Sequence, residues 1–149
     1  MTVKLRDEAA TAALGAAIAR GLKTGDAVLL EGELGSGKTT LARAILRALG
    51  VAEYVPSPSF TLVQAYETPG LTVRHFDLYR VSAANELNEL GLDDALAEGA
   101  VLIEWPERAR ARMPASALEV RLSASSETAR EAKLSGPARW REILEGLRA

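Results

Sequence analysis

Lys38, Thr39 and Thr40 close a stretch in which glycine fills three of six positions, GELGSG over 32–37. Residues 32–39 match GxxxxGK(S/T), a spacing whose members serve separate ends. Gly35 and Gly37 let the backbone turn tightly and, with Ser36 between them, aim N–H groups at phosphate oxygens. A helix starting at Lys38 adds positive potential at its N-terminus. The Lys38 ammonium suits the β and γ phosphates, the Thr39 hydroxyl suits Mg²⁺, and Thr40 is placed for the α phosphate. The plain alternative is a glycine turn carrying a surface lysine. A buried strand before the loop and a helix after it favour phosphate, so the stretch is expected to hold a nucleoside triphosphate with Mg²⁺. No NKxD segment is present to read guanine, which makes ATP the expected nucleotide.

Such a loop is usually joined by an acidic residue at the end of a neighbouring buried strand. Asp77 follows LTVRHF and Glu104 follows AVLI, so both qualify; Glu104 ends the cleaner apolar run and is preferred as the metal or water ligand. The plain reading of each is a surface acid at a strand end. His75, the single histidine, is expected to pack or hydrogen-bond rather than catalyse. Trp105 is a wall of the core or of the nucleotide pocket, and Arg80 either pairs with a carboxylate or reaches a phosphate. Glu86, Glu89, Asp93 and Asp94 read as a solvated helix face.

The elements that must position these residues follow from pattern. Helices are expected over 7–22, behind an acidic first turn, and over 38–49, stopped by Gly50. Between them 27–31 (AVLLE) is a short buried strand. The prolines of VPSPSF exclude a helix there. Residues 60–67 and 71–77 form a hairpin about Thr68-Pro69-Gly70. A helix capped by Ser82 covers 82–90, a second covers 92–98, and 100–105 (AVLIEW) is a buried strand stopped by Pro106. Segments 118–123 and 132–134 pair, and 137–147 is a closing helix opened by proline. Helices alternating with strands imply an α/β fold, a three-layer P-loop NTPase-like domain with a mainly parallel central sheet and an antiparallel hairpin.

The 149 residues fit a single domain over 1–149. With 48% apolar and 26% charged residues the balance is that of a soluble globular chain, and a formal net charge of −2 gives no global reason to expect nucleic acid, a local basic patch staying open. The chain has no cysteine, so there is no disulfide framework and no thiolate metal site. No apolar run reaches membrane-spanning length and the start lacks a signal-peptide core, so a cytoplasmic protein is expected.

GELGSGKTTLAR, VPSPSFTLVQAYE, HFDLYR, NELGLDD and LIEWPE follow in the order and spacing of the bacterial TsaE proteins, which the chain resembles over about 7–130. The family is the ATPase component of tRNA threonylcarbamoyladenosine synthesis. The resemblance implies that Lys38 and Thr39 are the phosphate and Mg²⁺ residues and Glu104 a second Mg²⁺ ligand. It implies that Asp77 lies beside the γ phosphate and Thr11 near the base. Ser57, Pro58, Ser59, Phe60 and Thr61 would form a nucleotide-sensing switch loop. Trp105, Pro106 and Glu107 would border the nucleotide, and Arg130 would contact it. The implied partners are TsaD and TsaB, which transfer the threonylcarbamoyl group to adenosine in tRNA while TsaE supplies ATP hydrolysis; direct tRNA contact stays open. Ser59 stands where the family often has threonine, and Ala129 precedes Arg130 where glycine is common.

Two other functions compete. A small-molecule kinase shares the phosphate loop, and ERARAR over 107–112 would be its lid, though that run also reads as a solvated helix. A nucleotide-dependent interaction module needs little turnover.

Overall fold

The computed structural model describes residues 1–83 and 85–147. Among the described residues seven strands make one sheet: β1 (Thr2–Leu5), β2 (Ala27–Glu31), β3 (Val63–Thr68), β4 (Leu71–Asp77), β5 (Ala100–Glu104), β6 (Leu118–Ala124) and β7 (Arg130–Ser135). Their order is β1-β7-β6-β2-β5-β4-β3. The central four, β6-β2-β5-β4, are parallel, while β3 and the β7-β1 pair extend the two edges antiparallel. The helices are α1 (Glu8–Gly21), α2 (Lys38–Ala48), α3 (Glu86–Glu89), α4 (Leu92–Glu98) and α5 (Ala138–Leu144).

Strand β2 shows why three layers form. Its side chains alternate between faces, and both faces are apolar. Val28 and Leu30 pack with Leu14 and Ile18 of α1, Leu41 and Ile45 of α2, and Trp140 of α5. Ala27 and Leu29 face the other way, with Val101 and Ile103 of β5, toward Leu87 of α3 and Leu92 and Ala95 of α4. Fully burying each large side chain contributes about 1.5–3 kcal/mol, so neither helical layer is dispensable. Parallel pairing then puts the C-terminal ends of β2, β4 and β5 on one rim, where Leu30 lies opposite Glu104 and Glu104 opposite Asp77. That rim is where open α/β sheets bind ligands.

Local signals account for most boundaries. The Asp7 carboxylate accepts from Ala10 N at 2.9 Å and caps α1. Gly50 takes a left-handed φ of 104° just past α2. Where the expected boundaries fail, a specific interaction is responsible. The hairpin begins at Val63 rather than at residue 60, because Leu62 N closes a turn onto the Pro58 carbonyl at 2.8 Å with Leu62 at φ 68°. The helix expected over 82–90 shrinks to Glu86–Glu89, because the Ser82 hydroxyl bonds the Glu86 side chain (3.0 Å) instead of capping a backbone N–H; Ala84, within that span, lies outside the described residues. Strand β5 stops at Glu104 since Trp105 turns left-handed. The closing helix starts after Pro137, which caps it, and ends as a 3-10 turn over Glu145–Leu147. Strand β1 has only two inward residues, Val3 and Leu5, too few to read as a strand from pattern. The run 107–112 is not a helix but part of two 3-10 turns, Pro106–Arg108 and Arg110–Arg112, pinned where Arg110 pairs with Glu31 and Glu119. Among the described residues no helix is long and apolar enough to cross a membrane.

Helices α1 and α2 cross at Gly15, where a Cβ would lie 2.6 Å from Ala44 Cβ and 2.8 Å from the Ala44 carbonyl carbon. Gly15→Val is therefore expected to force the helices apart and lower unfolding stability by about 1–3 kcal/mol. Gly146→Ala, with nothing near its Cβ, is the control. Chemical denaturation reads both; equal midpoints would show that the crossing tolerates a side chain.

Candidate functional site

The loop between β2 and α2 begins at Gly32 and ends at Gly37, the N-cap of α2, at φ 105°. Among the described residues no side chain caps α2, so its first-turn N–H groups face the loop's concavity free of a side-chain partner. Gly32, at φ 147°, approaches both the Ser36 hydroxyl and the Leu122 carbonyl so closely that no Cβ fits between them. The Ser36 Oγ is buried without a partner among the described residues, a spare polar atom inside the cradle.

Lys38 is 5% exposed and folds back on its own loop. Its ammonium donates to the Gly32 and Glu33 carbonyls at 2.6 and 2.9 Å and lies 4.1 Å over the Trp105 ring. Burial pulls its pKa below the usual lysine value, opposed by the negative charges of Glu104, Asp77 and Glu107. An incoming polyanion would add to that opposition and favour the charged ammonium.

Next to it, Thr39 Oγ1 donates to Glu104, equidistant at 2.9 Å from both carboxylate oxygens. His75 Nε2 lies 2.6 Å from Glu104 Oε2, with side-chain exposures of 0% and 3%. Asp77 accepts from Tyr79 N at 3.0 Å and from the Ser59 hydroxyl at 3.4 Å. A hydroxyl and a carboxylate meeting at the head of a helix are hard oxygen donors of the kind Mg²⁺ takes. Among the described residues no three His, Cys, Asp or Glu side chains gather for a metal.

On the far flank of the loop, Thr11, Gly37, Thr40, Leu122, Thr128 and Arg130 line a cavity of about 400 Å³. Arg130 reaches across to the Gly35 carbonyl at 3.2 Å and to the Ala129 carbonyl at 3.1 Å. On the near flank a cavity of about 870 Å³ opens between the loop, Trp105, Glu107 and Arg121. Pro106 is buried and lines neither cavity.

The 57–61 segment borders Asp77. The hydroxyls of Ser57 and Ser59 are 2.8 Å apart, and Ser59 passes the connection on to Asp77. Pro58 is buried, whereas Thr61 is exposed and Phe60 is 81% exposed beneath the Arg80 guanidinium, 4.6 Å away. Arg80 thus meets an aromatic face, and no carboxylate pairs with it among the described residues. The fold brings Lys38, Thr39, Asp77, Glu104 and Trp105 together and keeps Thr11 and Arg130 beyond the loop. Two neighbours escaped the sequence reading: Tyr79, its ring tilted 49° against that of Trp105 with centroids 4.7 Å apart, and the direct bond from His75 to Glu104. The second had a signal, since His75 and Asp77, two apart on one strand, must share a face.

The family model for "Threonylcarbamoyl adenosine biosynthesis protein TsaE" matches residues 5–132. The chain is 39% identical over 127 residues to the tRNA threonylcarbamoyladenosine biosynthesis protein TsaE of Rickettsia felis, covering 85% of this chain and 74% of that one. To the protein of that name from Bacillus subtilis it is 33% identical over 144 residues, covering 96% and 88%. The crystal structure of Bacillus subtilis YdiB superposes with a TM-score of 0.79 at 27% identity, over 99% of this chain and 93% of that one.

A methyl at Gly32 would meet backbone as well as the Ser36 hydroxyl, so the loop must open to accept it. With backbone strain of this kind costing about 1–3 kcal/mol, Gly32→Ala is expected to weaken binding of a non-hydrolysable ATP analogue roughly ten- to a hundredfold in calorimetry. Unaltered affinity would remove the loop from the binding site.

Proposed function

The chain belongs to the TsaE family, and from that premise we propose that it is a P-loop ATPase serving tRNA threonylcarbamoyladenosine synthesis together with TsaD and TsaB. The observation that carries this reading is the convergence of Lys38, Thr39 and Glu104 at the uncapped head of α2. In it, the loop N–H groups and the α2 N-terminus bind the phosphates. Lys38 exchanges its bonds to the Gly32 and Glu33 carbonyls for the β and γ phosphates. Thr39 and Glu104 would hold Mg²⁺, which would supply neutralisation of charge developing at the γ phosphate. Asp77, tied to the 57–61 segment through Ser59, orients the attacking water. Thr11 and Arg130 take the nucleoside side of the cavity that Thr40 also lines, with Thr40 toward the α phosphate.

A small-molecule kinase would need an acceptor site and a mobile lid. The near-flank cavity offers two arginines, yet Arg110 is paired with Glu31 and Glu119, and Arg121 with Glu31 at 3.1 Å, which favours hydrolysis over transfer.

Since Lys38 is the point charge on the transferring phosphate, Lys38→Ala should lower steady-state phosphate release about 10²–10³-fold. Lys23→Ala, outside the loop, should leave it within about twofold. Equal rates in the two variants would sink the assignment.

The rate of the isolated chain should itself be low. A stabilising arginine is worth roughly 10³–10⁵ in phosphoryl transfer. Here Arg43 bonds the Val55 carbonyl, Arg80 lies on Phe60 and Arg130 holds the Gly35 carbonyl. Adding TsaD and TsaB is expected to raise phosphate release at least about tenfold, by supplying a residue or redirecting one of these. A fast basal rate with no response to the partners would return weight to a self-sufficient enzyme.

A further inference from the structure

We propose that His75 is a positioning residue, orienting Glu104 so that one chosen carboxylate oxygen faces the metal. The inference rests on the reading of Glu104 as an Mg²⁺ ligand.

Three observations carry it. First, the Thr39 hydroxyl is 2.9 Å from both Glu104 oxygens and so does not select between them. His75 Nε2 does, at 2.6 Å from Oε2, leaving Oε1 with the Thr39 hydroxyl as its one partner among the described residues. A carboxylate only accepts, so Nε2 carries the donated hydrogen. Second, His75 is 0% exposed on the face of β4 that it shares with Val73 and Asp77. Its Nδ1 is buried with no partner among the described residues, so the imidazole has a single directional bond, and that bond is to Glu104. A residue present only to fill the core would be apolar, as Val73 is, since burying an imidazole with one nitrogen unpaired is unfavourable. Third, Glu104 is the last residue of β5 before the left-handed turn at Trp105, so its backbone is fixed while its terminal torsion is not. Ligating carboxylates are commonly oriented by such outer partners.

The test uses the full chain and four variants: His75→Gln, whose amide reaches as far as Nε2, His75→Asn, which falls short, His75→Phe, and Glu104→Ala. Affinity for a fluorescent ATP analogue is measured without metal and across a Mg²⁺ titration, alongside thermal unfolding in chelator without nucleotide. His75→Asn and His75→Phe are expected to need about tenfold more Mg²⁺ for the half-maximal change, with metal-free affinity unaltered, while His75→Gln stays within about threefold of the parent. If Glu104→Ala leaves the Mg²⁺ requirement unmoved, the metal assignment of Glu104 fails and takes this inference with it. If Glu104→Ala moves it and His75→Asn and His75→Phe do not, the positioning role alone is overturned. It is overturned equally if all three His75 variants lose metal-free affinity and melting temperature in step, with His75→Gln no better than His75→Phe; should His75→Phe not fold, the contrast between Gln and Asn decides.

Discussion

The site depends on one pairing that the chain makes across a long separation. Thr39 and Glu104 are 65 residues apart in sequence, and their 2.9 Å bond exists because β2 and β5 run parallel side by side with Leu30 opposite Glu104. The loop from β2 then has to climb over the strand ends and drop into α2, and it lands Thr39 on the carboxylate. A one-residue slip between β2 and β5 would turn Glu104 to the other face, toward α3 and α4, and leave a carboxylate in an apolar layer. Burial of alternating faces therefore does more than stabilise the sheet: it fixes which strand-end residues can meet the loop.

The same geometry explains the posture of Lys38. An ammonium at 5% exposure needs partners, and in the described chain it finds them in the Gly32 and Glu33 carbonyls and the Trp105 face. Desolvation and the surrounding carboxylates act on it in opposite directions, with desolvation the larger. Bonds to charged groups contribute about 1.5–3 kcal/mol each, comparable to what a phosphate would offer in their place. The lysine thus stays ordered and desolvated in advance, so that a phosphate ligand would replace carbonyls rather than strip water from a mobile side chain.

Much of this was legible in the sequence where a residue's type admits few uses. GxxxxGK(S/T) between an apolar strand and a helix specifies a tight glycine-turned loop leading into a helix N-terminus through backbone requirements alone, and β2 and α4 have the bounds their patterns imply. Asp77 and Glu104 could be picked out because acids seldom end buried runs without a partner. What stayed hidden rests on contacts between segments: the choice of Ser82 for the Glu86 side chain, the pairing of Arg110 with Glu31 and Glu119, and the cation–π seat of Arg80 on Phe60. None has a local signature. Each partner is set by tertiary placement, which propensity and periodicity do not encode.

Strain completes the picture, and its location is informative. Among the described residues only Leu62 and Trp105 are non-glycine residues with positive φ, 68° and 57°. Both abut the carboxylates of the site. The Leu62 carbonyl accepts from Asp77 N at 2.9 Å, so the strained turn ends by bracing the Asp77 backbone. Trp105 directly follows Glu104 and precedes Pro106, whose ring disfavours the right-handed helical region for the residue before it. A left-handed Trp105 costs about 1–2 kcal/mol, offset by Tyr79 tilted against its ring and by the Lys38 ammonium above it. Lys38 is therefore coupled to the backbone beside Glu104: a ligand that draws the ammonium off the indole also removes part of what holds the turn. Through Tyr79, whose N–H bonds Asp77, the same change reaches the second carboxylate and, by way of Ser59, the 57–61 segment. Lys38, the two carboxylates and the surface loop are linked by few contacts, and the strained turns are where that linkage is most easily reset.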